Sequence, residues 1–220
     1  MAANCQDIVM LFGDSLTQGA WEHNGIGARL ANIYARRFDV LNRGYSGFTT
    51  EWALPVFEQI LAKKTEQPHV PPVRLLTIWF GANDACIKPS PQHVPLDQFI
   101  TNLRAMIHLV TSPSSAHHSP QTKIILLTPP PINTIQRGAD LASRDPPKEL
   151  DRLFGVTRAY ADAVRELGKT EGVPVVDAWT KLWEAAAKEE GNLGGFLTDG
   201  LHLNERGYKV RILDFFCSLY

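Results

Sequence analysis

Short apolar runs alternate with segments whose apolar residues recur every three or four positions. The runs occupy residues 8–12, 39–41, 73–80, 123–128 and 173–176. They are rich in Val, Ile, Leu and aromatics and lack clean polar alternation, the pattern of central strands covered on both faces. Between them lie helical stripes. Ile26, Leu30 and Ile33 form the first, reaching Phe38. Trp52, Val56, Phe57, Ile60 and Leu61 form the second, behind a Thr50 cap. Phe99, Leu103, Met106, Ile107 and Val110 form the third. The fourth starts at Leu150, continues through Leu153, Phe154, Tyr160, Val164 and Leu167, and ends at Gly172 and Pro174. Trp179, Leu182, Trp183 and Ala186 suggest a fifth, and a last helix starts near Asn204 and runs to the C-terminus.

Strands that alternate with helices predict an α/β fold with a parallel sheet. Such folds gather chemistry on loops at the carboxyl ends of their strands. Residues that do chemistry should therefore follow the apolar runs directly. Segments 112–121 and 129–147 are rich in Pro and polar residues and read as loops. The second leaves a strand end, so both a plain surface loop and a rim of the site stay open for it.

Composition narrows the function classes. The 220 residues fit one domain, 1–220, large enough to need no disulfide or metal staple. A hydrophobic share of 44% is too high for a disordered chain. Lys and Arg number 22 against 23 Asp and Glu, which speaks against a nucleic-acid or anionic-membrane binder. The three cysteines, Cys5, Cys86 and Cys217, show no metal or disulfide spacing and read as reduced thiols. No apolar stretch is long enough for a membrane span or a secretion signal, so a cytoplasmic protein is expected. No sequence feature sets the oligomeric state, and a homodimer stays open.

The polar residues behind the runs carry the chemistry. Gly13-Asp14-Ser15-Leu16 follows the first and can expose a serine hydroxyl at a tight turn. It is not the G-x-S-x-G elbow, since position 17 is Thr. Gly44 follows the second run and could offer a backbone N–H to an anion; Asn83 follows the third and brings an amide donor. Asp199 stands three residues before His202, where a carboxylate can accept from imidazole Nδ1 and leave Nε2 as a base. Each feature alone is ordinary turn chemistry. Together they supply nucleophile, base, orienting carboxylate and oxyanion donors, the set that acyl transfer requires.

These blocks resemble the SGNH, or GDSL-type, hydrolase superfamily. Gly13-Asp14-Ser15-Leu16, Gly44, Gly81-Ala82-Asn83-Asp84 and Asp199-x-x-His202 follow its order and spacing. Trp52-Ala53-Leu54, Asp84-Ala85-Cys86 and Phe196-Leu197-Thr198 are similar to the isoamyl acetate-hydrolysing esterase subfamily. The resemblance implies a three-layer α/β/α fold with a flavodoxin-like five-stranded parallel sheet. It implies a serine esterase that needs no metal or other cofactor and takes small uncharged esters, foremost acetates of short or medium alcohols. Ser15, His202 and Asp199 would form the triad, with Ser15 N–H, Gly44 N–H and Asn83 as the oxyanion hole.

Rival readings remain. Carbohydrate O-acetyl esters or lysophospholipid and thioester substrates fit the same superfamily. A metal phosphoesterase site could be drawn through Asp14, Asn83, Asp84, Asp199 and His202, but two-metal sites generally use more histidines at strand ends. A binding protein on the same fold would be marked by a missing Ser, Asn or His. Asp14 and Asp84 read as turn or cap residues. Tyr45, Trp52 and Trp21 are candidates for pocket lining or core, and His117-His118 sits in a polar loop.

Overall fold

The computed structural model is described over residues 6–210. Five parallel strands form one sheet in the order β2-β1-β3-β4-β5. They are β1 Asp7–Gly13, β2 Phe38–Gly44, β3 Val73–Trp79, β4 Lys123–Leu127 and β5 Val175–Val176. This is the flavodoxin-like order, with its switch point beside β1. The helices are α1 Ser15–Gln18, α2 Ile26–Ile33, α3 Thr50–Ile60, α4 Leu96–Thr111, α5 Thr134–Ala142, α6 Phe154–Glu171, α7 Ala178–Ala185 and α8 Glu205–Lys209.

Strand alternation sorts the core into two layers, since successive side chains point to opposite faces. Val9, Leu11, Leu75, Ile125 and Leu127 meet α2 and α7 on one face. Met10, Phe12, Leu76, Ile78, Ile124 and Leu126 meet α3, α4 and α6 on the other. The three-layer arrangement therefore follows from central strands, β1, β3 and β4, that place apolar residues on both faces. No helix of the described residues is long and apolar enough to cross a membrane.

Several boundaries move, each for a local reason. The cap of α3 is Thr49, whose hydroxyl accepts from Trp52 N–H, while Thr50 turns its hydroxyl to Asp84. Helix α6 starts at Phe154 rather than Leu150, because Arg152 is held in an antiparallel bridge to Cys86. Only Val175–Val176 pair in the last strand, just after Pro174, which has no N–H to donate. Segment 129–147 holds helix α5, which the sequence reading leaves as loop. Its buried residues are Arg137 and Leu141, so the face it turns inward carries a charge and escapes a hydrophobic pattern. The last helix begins at its Asn204 cap as expected, and the part beyond residue 210 lies outside the described residues, as do Cys5 and Cys217. Cys86 is a buried free thiol.

Candidate active site

The expected polar residues gather at the carboxyl edge of the sheet. Ser15 opens α1 directly behind β1, where Asp14 caps the helix by accepting from Leu16 N–H at 2.9 Å. As first helical residue, Ser15 has a backbone N–H with no partner inside the helix. Asp199 and His202 sit on a turn closed by a bridge between Leu197 and Leu203. Asp199 Oδ1 accepts from the N–H groups of Leu201 at 3.1 Å and His202 at 2.8 Å. That leaves Oδ2 for His202 Nδ1 at 2.9 Å, and His202 Nε2 lies 3.0 Å from Ser15 Oγ. Ser15, His202 and Asp199 thus stand in hydrogen-bond sequence, an arrangement that nucleophilic catalysis can use.

Burial pushes the Asp199 carboxyl up. The His202 ring N–H, the His202 backbone N–H, the imidazole charge and Leu201 N–H outweigh it, so the group is held far below the usual carboxylate range. Asp199 therefore stays ionised and can steady an imidazolium. Arg137 Nη1 also donates to Asp199 Oδ2 at 2.9 Å.

Asn83 lies directly after β3 and is almost fully buried. Its Nδ2 donates to Phe48 O at 2.8 Å, and its Oδ1 accepts from Arg152 Nη2 at 2.9 Å. A second amide hydrogen remains for a ligand.

Gly44 is corrected. Its N–H donates to Asn42 Oδ1 at 2.9 Å and so is already engaged. The same Asn42 side chain donates to Thr17 O at 2.9 Å. A Cβ on Gly44 would stand 2.0 Å from Gln18 N. Glycine is needed there to let β2 approach the backbone of α1, a packing role. Gly47 has the free group instead. Its N–H finds no acceptor among the described residues, its φ is +81°, and its carbonyl is fixed by Gln92 Nε2 at 2.7 Å. The adjacent Phe48 carbonyl is the one that Asn83 holds. The spacing Gly44-x-x-Gly47 contains both glycines, and the reading took the one nearer the strand.

A cleft of about 580 Å³ opens over Ser15 and His202, bordered by Gln18, Trp21, Glu22 and Ser46. Trp21 is half exposed at its rim. Tyr45, partly buried, packs edge-on against Phe12 and beside Phe48 at the edge of the core, and Trp52 meets Phe48 edge-on. Asp84 accepts from the Thr50 N–H at 2.9 Å and from its hydroxyl, a structural role like that of Asp14. His117 is buried, with Nδ1 3.0 Å from Leu61 O, so it ties the 112–121 loop to α3. Among the described residues no group of three His, Cys, Asp or Glu side chains is placed to hold a metal ion. Three residues beside the site escaped the sequence reading: Arg137, Asp151 and Arg152. Each is charged; Arg137 lies in the segment read as loop, and Asp151 and Arg152 lie at the start of the stripe read as helix from Leu150.

Residues 11–210 match the model of the GDSL-like Lipase/Acylhydrolase family. An isoamyl acetate-hydrolyzing esterase 1 homolog of Bos taurus is 36% identical over 208 residues, covering 90% of this chain and 76% of that protein. The isoamyl acetate-hydrolyzing esterase of Saccharomyces cerevisiae is 34% identical over 220 residues, covering 91% and 81%. The crystal structure of a lipase/acylhydrolase from Enterococcus faecalis superposes with a TM-score of 0.65 at 25% identity, covering 94% of this chain and 92% of that one. The chain belongs to the GDSL-like lipase/acylhydrolase family and is a carboxylic ester hydrolase.

Proposed function

We propose that the chain hydrolyses small uncharged esters, foremost acetates of short- and medium-chain alcohols, through an acyl-enzyme on Ser15. The observation that carries this reading is the unbroken line from Asp199 Oδ2 through His202 to Ser15 Oγ, with links of 2.9 and 3.0 Å. Ser15 Oγ attacks the ester carbonyl while His202 Nε2 takes its proton and hands it to the departing alkoxide. Asp199 holds the imidazole tautomer. The developing oxyanion accepts from Ser15 N–H, Asn83 Nδ2 and Gly47 N–H, the last replacing Gly44 for the reason given above. Water, deprotonated by the same histidine, then releases acetate and restores the serine.

The acetate preference rests on the relatives' named activity and on the site's polar border. A second reading has an observation of its own. Trp21, half exposed beside Gln18 and Glu22, offers a flat apolar face next to hydrogen-bonding groups, which suits an O-acetylated sugar.

One panel separates these. Isoamyl acetate, p-nitrophenyl esters from acetate to laurate, and an acetylated xylooligosaccharide are compared by kcat/KM, with Ser15→Ala as control. Highest values on alkyl acetates are expected, with turnover lost in Ser15→Ala while the circular dichroism spectrum is kept. Activity that rises with acyl length overturns the acetate assignment, and preference for the sugar ester moves it to the second reading. Retained turnover in Ser15→Ala overturns the nucleophile. Asn83→Ala should lower kcat on the order of 10²–10³-fold.

A further inference from the structure

The charged residues beside the site form a structure of their own. Arg152 is among the largest fully buried side chains, 2% exposed. A buried guanidinium is tolerated only when its donors are paired. Its Nε donates to Ala82 O at 2.6 Å, its Nη2 to Asn83 Oδ1 at 2.9 Å, and its Nη1 to the Asp151 carboxylate. Two of these three contacts go to the loop that carries Asn83. The backbone repeats the attachment: Cys86 bridges to Arg152, and Ile87 N–H donates to Asp151 O at 2.9 Å.

A carboxamide donates at one end and accepts at the other. An oxyanion hole requires the NH₂ end inward. Were the Asn83 amide turned over, its NH₂ would face the Arg152 guanidinium, donor against donor. Its carbonyl would face the Phe48 carbonyl, acceptor against acceptor. Arg152 thus disfavours the wrong orientation, and a charged donor on Oδ1 also strengthens the N–H groups across the amide. The anchor continues past Arg152. Asp151 accepts from Arg137 Nε at 3.2 Å and Nη2 at 3.0 Å, and Arg137 Nη1 reaches Asp199 Oδ2 at 2.9 Å. Asn83 and Asp199, on separate loops, are joined through Arg152, Asp151 and Arg137.

We infer that Arg152 is the positioning residue of the oxyanion hole, holding the Asn83 amide with its NH₂ toward the substrate carbonyl from an ion-paired chain that ends on Asp199. This inference rests on the Ser15 esterase reading and concerns a residue outside its triad and oxyanion donors.

A double-mutant cycle between Arg152→Met and Asn83→Ala tests it. The active fraction is counted by fluorophosphonate labelling of Ser15, so that kcat is expressed per labelled site. Arg152→Met is expected to lower kcat about 10- to 100-fold with KM nearly unchanged, the sign of an interaction made in the transition state. In the Asn83→Ala background the same substitution should change kcat less than about threefold, because the amide it orients is gone. Arg152→Lys keeps the charge but not the fork that reaches three acceptors, so it should fall between. If Arg152→Met yields no folded protein, the Lys variant carries the same cycle. Losses that multiply in the double variant overturn the positioning role. An unchanged kcat in Asn83→Ala overturns it too, whereas loss of Ser15 labelling in the unmodified protein, or retained turnover in Ser15→Ala, strikes the esterase reading instead.

Discussion

Two carboxyls stand beside the proposed site residues without joining the Asp199–His202–Ser15 line. Asp14 precedes Ser15 and Asp84 follows Asn83, and both are fully buried. Burial pushes Asp14 up to about 7, opposed by Leu16 N–H and reinforced by the nearby Asp84. Burial likewise pushes Asp84 up to about 6 against its hydrogen bonds from Thr50. Each leaves Oδ2 without a partner among the described residues. A carboxyl with a raised folded pKa contributes stability that is complete below its unfolded value and is lost as pH rises through the folded one. Asp199 has the opposite sign: its contribution is present above the unfolded value and is lost as pH falls. Asp14→Asn keeps an oxygen for Leu16 N–H and removes the ionisation. Between pH 5 and 8 the unmodified protein should lose more stability than the variant, by on the order of 1–3 kcal/mol at about 1.4 kcal/mol per pKa unit. Urea denaturation at several pH values measures it, and parallel curves for the two proteins would exclude Asp14 as the titrating group.

At the scale of elements, what the sequence made readable is what pattern can encode. Apolar runs without polar alternation announced a sheet covered on both faces, and the stripes of α3, α4 and α6 announced what covers it. Gly172 and Pro174 marked the end of α6, where Gly172 takes φ +64°. Ser15 and Asn83 were legible because strand ends collect polar residues, and Asp199 and His202 because of their three-residue spacing. Helix α5 was not, since its inward face is Arg137 and Leu141 and its exposed Ile135 stands where an apolar stripe would mislead. Nor could spacing reveal that Asp151 and Arg152 fold back onto the loop after β3, a contact across 69 positions. The two glycines behind β2 were indistinguishable as letters and differ in what surrounds them. Gly44→Ala must push β2 from α1, because the new Cβ would lie 2.0 Å from Gln18 N. A loss of about 1–3 kcal/mol or more is expected in chemical denaturation. Gly47→Ala meets only Gln92 Nε2, at 3.6 Å, but must hold φ +81°. That strain costs on the order of 1–2 kcal/mol and tilts an N–H that the oxyanion reading uses. Its kcat should therefore fall more, per unit of stability lost, than that of Gly44→Ala. The reverse order would return the donor role to Gly44.

At the scale of the molecule, a sheet whose strands all run one way brings residues 187 positions apart to 3.0 Å, Ser15 behind the first strand and His202 beyond the last. Every polar block then faces one edge, and the two apolar layers hold that edge in place. The molecule as a whole carries little net charge: 22 basic and 23 acidic residues leave −1. The ion pairs that matter to the site are sheltered, the Arg137 side chain being 5% and that of Asp199 14% exposed. Two consequences for salt follow from these facts. A molecule with little net field does not steer an uncharged ester, so association should not depend on ionic strength. Raising salt from about 10 mM to 1 M shortens the screening length from about 30 to about 3 Å, which silences exposed charges and leaves sheltered ones. Both kcat and kcat/KM for an alkyl acetate should therefore stay within about twofold across that range. A steep fall in kcat/KM alone would overturn the expectation that charge plays no part in ester association. A fall in kcat would mean that the Arg137–Asp199 contact is open to solvent and that the orientation of His202 depends on it.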